Sequence, residues 1–454
     1  MGRFRFGHTI LLRNPKAGLA TALLLAASMW FYVQYVLVPY QRADAAAHGR
    51  PRGNLSDVYP RWLGARELLL HHRDPYSRDI TREIQAGYYG RPLDPIRAED
   101  PKDQQGFAYP VYVAFLLAPT ITLPFSVVQA GFRWLLLIIT VATVPLWLRA
   151  LCWRASATTT VILIILTIGS FPAVQGIKLQ QLSLVVSGFI ALCALLLTSG
   201  HFVLAGIVLA LATIKPQLIW PLAAWLVLWT FSDWRRRQGF FWGFALTMAA
   251  LLAGAEYLLP GWTTKFRQAI AAYRQYTGGA GSLLDVLVTP GWGRVVSGLI
   301  LLALAAVCWR LRREPGGEAA FSLATAVVLA ATVVVVPMVA PYNQLLLLPA
   351  ILLLVQQARS NWKRSRLTRL AYVISALLVL WPWLATLCLG VAALIFPAKL
   401  VQQAWALPLY TSLGIPLALL GAVALMLADF VSFRSIRRRN VPGSVPQNPW
   451  STSL

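Results

Sequence analysis

The chain has 454 residues, of which 58% are hydrophobic and only 12% charged, with a mean hydropathy of +0.62. That balance excludes an ordinary soluble globule and implies a polytopic membrane protein. The net charge of +24 does not point to nucleic acid, because Lys and Arg gather at the ends of apolar runs, as topogenic charges do.

Apolar runs of about 20 residues, enough to cross a hydrocarbon core of roughly 30 Å as helices, recur from Lys16 to Asp429. They are continuous in Leu, Ala, Val and Ile rather than alternating, so an all-α bundle is expected and a β-barrel is not. In chain order the predicted spans are residues 17–39, 109–125, 126–148, 157–174, 180–198, 203–231, 239–260, 294–311, 319–338, 342–357, 370–396 and 405–430, about twelve crossings. The first is too long for a signal-peptide core and lacks a small-residue cleavage site after it, so it reads as a retained span. Residues 1–16 then form a cytoplasmic N-terminus and 40–108 an external loop. The remaining spans fill 109–430 around a second external loop, 261–293, and a cytoplasmic Pro- and Ser-rich tail, 431–454, is predicted to be disordered towards its end.

The basic clusters "MGRFRFGHTILLRNPK" (1–16), "DWRRRQ" (233–238), "RLRREPGGE" (310–318), "RSNWKRSRLTR" (359–369) and "RSIRRRN" (434–440) fall on one side if the spans alternate. That side is then the cytoplasm, with both termini in it, in a plasma or inner membrane. "RALCWR" (149–154) falls outside in this count unless 203–231 is two helices broken at Lys215 and Pro216 and an earlier crossing is miscounted. Both counts stay open. Cys152, Cys193, Cys308 and Cys388 show no CxxC and no pairing pattern, so no structural disulfide is expected.

The first external loop holds ten of the 16 acidic residues: Asp44, Asp57, Glu67, Asp74, Asp79, Glu83, Asp94, Glu99, Asp100 and Asp103. Elsewhere Asp233, Glu314, Glu318 and Asp429 sit at inner helix ends, and Glu256 and Asp285 near the outer face. An ion-coupled transporter would place ionisable residues near the bilayer midplane, where only Lys215 stands out. Within the loop, Ser56 and Asp57 are positioned to cap a helix reaching about His72, with Trp62, Ala65 and Leu69 on its apolar face and Arg61 and Arg66 opposite. Such a helix would lie along the membrane surface, and its dipole would keep Asp57 ionised. "DPYS" (74–77) then turns the chain, and Ser77 caps a second amphipathic helix through Ile80 and Ile84.

An apolar first helix, then "DVYPRWLGARELLLHHRDPYS" (57–77), "QGFAYPVYVAFLLAP" (105–119) and "LAGIVLALATIKPQLIWPL" (204–222), in that order, resembles the polyprenol-phosphate-mannose-dependent mannosyltransferases of glycosyltransferase family 87, within the GT-C superfamily. The resemblance implies a GT-C-like bundle. It also implies inverting transfer of a sugar from a polyprenyl-phosphate donor to a glycolipid or glycan acceptor on the extracytoplasmic face, with Asp57 as general base.

Lys215 is the candidate for the donor phosphate, since a lysine in an apolar stretch costs about 2.5–3.5 kcal/mol without a partner. Snorkelling, or pairing with a carbonyl, is the alternative for Lys215, as helix capping is for Asp57. Tyr59, Asp74, Tyr76, Tyr109, Gln181, Tyr342, Asn343 and Gln344 are the further site-shaping or substrate-binding candidates. Of these, Asp74 and Tyr76 also serve the turn, and Tyr109 with Pro110 positions the next helix. Gln180 stands where relatives carry Gly before Gln181, and "VAPYNQ" (339–344) lacks the His that family members often carry there.

No cofactor is expected. Asp94, Glu99, Asp100 and Asp103 could supply oxygen ligands to a divalent metal, but interleaved Arg91, Arg97 and Lys102 favour a solvated loop, and no metal site is assigned. GxGxxG, P-loop and HExxH motifs are absent. The alternative function is a lipid-linked-substrate flippase or binding scaffold, with the same topology and no need of Asp57. Residues 261–287 are a candidate acceptor-facing lid hinged at Gly278, Gly279 and Gly281.

Overall fold

The computed structural model describes residues 14–49, 56–94, 96–101, 103–276, 281–337 and 340–439. The N-terminal basic segment up to residue 13, the tail from 440, Lys102, Val339 and the glycines 278 and 279 lie outside the described residues. Every regular element among those described is a helix.

The first helix, α1 (Pro15–Ala47), is longer than the 17–39 expected from hydropathy. Pro15 is preset for the first turn, and the Asn14 side chain accepts from Ala17 N at 3.3 Å. Its middle widens into a π-helical stretch, Tyr32–Leu37, where the Tyr32 hydroxyl donates to the Trp405 carbonyl at 2.5 Å. Two short helices of the first loop follow, α2 (Tyr59–His71) and α3 (Arg78–Tyr89).

Among the described residues, six helices are long and apolar enough to cross a membrane, or seven if the pair Ala157–Ile168 and Phe171–Leu179, bent by 57°, is one span. Shorter apolar helices complete the bundle: Ser183–Thr198, Phe202–Ala212, Pro216–Phe231, Ala319–Val335 and Pro341–Gln356. Phe202–Ala212 crosses Trp234–Leu258 so closely that a Cβ on Gly206 would lie 2.2 Å from the Phe240 carbonyl, and one on Gly243 2.3 Å from the Val203 carbonyl. Only glycine permits that crossing, a small-residue contact of the kind that lets helices associate in lipid.

Two predicted spans are corrected. Residues 109–125 do not cross: the segment holds a five-residue helix, Val113–Leu117, and a single 3-10 turn, Ala118–Thr120. It stays with the first loop, where the Trp62 indole donates to the Thr120 carbonyl at 3.1 Å. Pro119 and Pro124, spaced too closely for a full span, are the physical reason. Residues 203–231 are two helices, because Pro216 starts the second of them and Lys215 occupies its N-cap position.

These corrections settle which residues share an end of the bundle. The Gln180 side chain donates to the Gln129 carbonyl, so the helix Phe125–Ala150 starts beside the first loop and carries the chain about 39 Å away. "RALCWR" therefore lies at the end remote from the loop. At that same end the Trp229 indole donates to the Glu314 carbonyl at 2.8 Å, Phe202 packs 6.0 Å from Trp229, and Thr368 Oγ1 donates to Asp429 Oδ2 at 2.8 Å. The described basic clusters thus gather at one end, and the first loop, residues 180–182 and residues 213–215 at the other.

Candidate active site

Three chain turns meet beneath the first loop. The helix Phe171–Leu179 ends with Gln180 in the left-handed region, φ 53°, a conformation glycine adopts most readily. That turn delivers Gln181, and its Leu179 carbonyl accepts from Asp57 N at 2.9 Å. The third turn carries Lys215 and is held by Tyr112, whose buried hydroxyl donates to the Thr213 carbonyl at 2.9 Å.

The side chains form a continuous hydrogen-bonded row. Gln181 Nε2 donates to Asp57 Oδ2, and the Tyr88 hydroxyl donates to Asp57 Oδ1 at 3.4 Å. Lys215 Nζ donates to Gln181 Oε1 at 3.0 Å and to Ser183 Oγ at 2.7 Å, while Ser183 Oγ donates to Asn343 Oδ1 at 2.8 Å. The ammonium also lies 5.2 Å from the ring centre of Tyr342 and 5.8 Å from that of Tyr109. Beside this row opens a cavity of about 260 Å³ lined by Asp57, Arg61, Asp103, Tyr109, Gln181, Lys215, Tyr273, Tyr342 and Asn343 among others.

Asp57 does not cap α2: no side chain caps that helix, and the carboxylate turns to Gln181 and Tyr88 instead. Without that capping position, the surroundings that act on the carboxyl are its burial and the charges beside it. Burial pushes its carboxyl above the ordinary range, with Asp103 adding to the rise and Arg61, Lys215 and the Tyr88 hydrogen bond opposing it. Tyr88 is itself held protonated by burial and the neighbouring carboxylate. Asp100, in the same loop, is its opposite: the Arg91 guanidinium holds that carboxyl down at about 2. Glu67 and Glu83 are likewise spoken for by Arg73, at 2.8 and 2.5 Å.

Of the remaining candidates, Tyr109, Gln181, Tyr342 and Asn343 line the cavity. Asp74 and Tyr76 build the turn as expected, with Asp74 Oδ1 accepting from Tyr76 N at 2.9 Å, and Ser77 caps α3 through Ile80 N at 3.3 Å. The Tyr76 hydroxyl donates to the Tyr109 carbonyl at 2.5 Å, so the turn holds a cavity residue in place without entering the cavity. Tyr59 and Gln344 are not brought in. Tyr59 packs edge-on to Phe125 at 4.8 Å above Gly87, and Gln344 donates to the Ser412 carbonyl at 2.7 Å.

Arg61, Tyr88, Asp103 and Tyr273 are site residues that sequence reasoning did not nominate. Arg61 lies opposite the apolar face of α2 in the sequence pattern, yet its guanidinium stacks 4.6 Å over Tyr109 and donates to the Asp57 carbonyl at 2.6 Å. Its Nε is buried without a hydrogen-bond partner. The four-residue spacing from Asp57 was the available signal, since residues i and i+4 share a helix face. Asp103 accepts from Gln105 N and Nε2 at 3.1 and 3.0 Å. No three His, Cys, Asp or Glu side chains converge as metal ligands among the described residues.

A carboxylate, a lysine and an arginine thus surround one cavity at the loop end of the helical bundle. The profile of glycosyltransferase family 87 matches residues 107–341, more than half of the chain. The chain belongs to glycosyltransferase family 87. It is therefore a membrane glycosyltransferase of the GT-C type, acting with a sugar donor and a glycan acceptor, and the flippase or scaffold alternative is set aside. Lys215, Gln181 and Tyr109 lie inside the matched segment, whereas Asp57 and Arg61 precede it. Neither a curated protein nor a solved structure matches the chain.

Proposed function

We propose that this family 87 enzyme transfers a sugar, mannose by family resemblance, from a polyprenyl-phosphate donor to a lipid-linked or envelope glycan on the extracytoplasmic face, with inversion. The observation that carries the reading is the row Asp57–Gln181–Lys215: a half-buried carboxylate and a buried ammonium held by the two ends of one amide, both facing the same cavity.

In this scheme Asp57 takes the proton of the acceptor hydroxyl. The hydroxyl oxygen bonds to the anomeric carbon as the bond to the phosphate oxygen breaks, and the polyprenyl phosphate leaves with that electron pair. Lys215 binds the phosphate oxygens where negative charge grows, and Arg61 gives a second cation whose Nε has no other partner. Tyr109 keeps both cations against one ring. The donor is already an activated ester, so the scheme calls for no cofactor. The gathering of described basic clusters at the opposite end supports an outward-facing site by the positive-inside rule.

Membranes bearing the protein, supplied with radiolabelled polyprenyl-phosphate mannose, glucose or pentose, should label a glycan or glycolipid, and adding a chelator reads any divalent-ion requirement. Transfer that persists in a correctly inserted Asp57→Asn variant would remove Asp57 from the role of base.

A further inference from the structure

A second, larger cavity of about 860 Å³ lies between the first loop and the helix Trp262–Tyr276. It is within the usual range for ligand pockets, roughly 300–1,000 Å³. Gln105, Gly106, Ala108 and Tyr273 line both this cleft and the Asp57 cavity, so they form a wall common to the two.

We propose that this outer cleft binds the sugar chain of the acceptor, an extended oligosaccharide whose terminal hydroxyl reaches Asp57 past the shared wall. The proposal rests on the transferase reading above. The cleft is built by loop helices and not by the spans, so it offers no apolar trough for a polyprenyl or acyl chain. Its lining mixes polar side chains with the rings of Tyr76, Phe107 and Tyr273, which suits the hydroxyl groups and C–H faces of sugars. Arg78 and Arg82 lie four residues apart on one face of α3, and Gln104 and Gln268 supply amides that donate and accept. Lys265 on the far side pairs with Asp74 on the near side, its Nζ 2.9 Å from Asp74 Oδ2. Lys215, by contrast, starts the apolar helix Pro216–Phe231, which places the donor phosphate on the membrane side of Asp57 and leaves the loop side to the acceptor.

Two measurements test this. In the transfer assay Arg82→Ala should raise the acceptor KM at least ten-fold and leave the donor KM within two-fold. Unchanged acceptor KM, or a matching rise in donor KM, overturns the proposal. Independently of turnover, mannotetraose and arabinotetraose are titrated against the detergent-solubilised protein by saturation-transfer NMR. At least one should bind the wild type, and Gln268→Trp, which fills the cleft, should abolish that binding. Binding that survives Gln268→Trp, or no binding of either sugar to the wild type, overturns the cleft assignment. Oligosaccharide binding without sugar transfer from any polyprenyl-phosphate donor would leave the cleft standing and overturn the transferase mechanism instead.

Discussion

Lys215 at one end of the bundle and Arg237 at the other are both almost fully buried, 6% and 5% exposed, and they are satisfied in opposite ways. Arg237 stacks 3.9 Å over Trp229 and donates to the Trp229 and Arg312 carbonyls at 2.8 and 3.0 Å, with the Glu314 carbonyl at 3.3 Å. Those carbonyls close two helix C-termini, where a cation completes the orphan acceptors and complements the dipole. Lys215 instead meets the side chains of Gln181 and Ser183 and two aromatic faces, and it borders a cavity. A cation tied mainly to backbone, with Ser232 Oγ at 3.1 Å and the Asp233 carboxylate at 3.8 Å beside it, is a rivet. One tied to neutral side chains beside open space is disposed to meet an anion that arrives.

The contrast predicts which changes cost activity and which cost stability. Asp57→Asn should lower turnover by roughly 10²- to 10⁴-fold, the usual worth of a general base, while its thermal midpoint at neutral pH stays equal to or above that of the wild type. The sign follows from the raised carboxyl. The folded protein holds that proton more tightly than the unfolded chain, so Asp57 is least harmful to stability below the unfolded value, about 3.9, and its contribution worsens as pH rises towards the folded one. A thermal midpoint well below wild type would show that burial of the charge is better compensated than the raised carboxyl implies.

Lys215→Met should raise the donor KM about 10- to 100-fold, the range expected for losing charge-assisted hydrogen bonds worth roughly 1.5–3 kcal/mol, and should leave the folded yield near normal. Arg237→Met should do the reverse, lowering the thermal midpoint and the yield of inserted protein while the surviving enzyme keeps its donor KM. If both variants lose stability alike and neither changes KM, the distinction between the two ends disappears.

The pH profile gives a smaller effect. Only the carboxylate can accept a proton, so kcat/KM should fall on the acid side at a pH above the ordinary carboxylate value. Tyr88→Phe removes a hydrogen bond to the charged form, so it should move that acid limb higher still, with a loss of about ten-fold or less at neutral pH. An acid limb that does not move would take Tyr88 out of contact with the base in the working enzyme.

Much of this was legible in the chain. The hydrophobic runs reported an all-helical membrane bundle, and the loop helix capped by Ser77 formed where its pattern placed it. The segment 109–125 misled because apolar composition measures affinity for a greasy setting, not direction: Phe107, Val113 and Leu117 bury themselves against α2 instead of crossing. Asp57 and Lys215 could be nominated singly, since an acid opening a helix and a lysine before proline stand out. Their meeting could not, because it depends on Gln181, which lies 124 residues from Asp57 and 34 from Lys215. Arg61 was misplaced for a related reason. Helical periodicity showed a polar face, but not that this face turns towards a cavity.

The planar amide of Gln181 bears on how tolerant the site is to sequence change. Its nitrogen faces a carboxylate and its oxygen faces an ammonium, so its orientation is fixed by its neighbours on both sides. Glutamate would set like charges against each other at Asp57, and leucine would leave Asp57 with Tyr88 alone and Lys215 with Ser183 alone. Asparagine keeps the amide on a stem one carbon shorter, and histidine keeps both polarities only while neutral. A saturation scan of the chain should therefore find position 181 as intolerant as position 57, although glutamine itself takes no proton and forms no bond in the reaction.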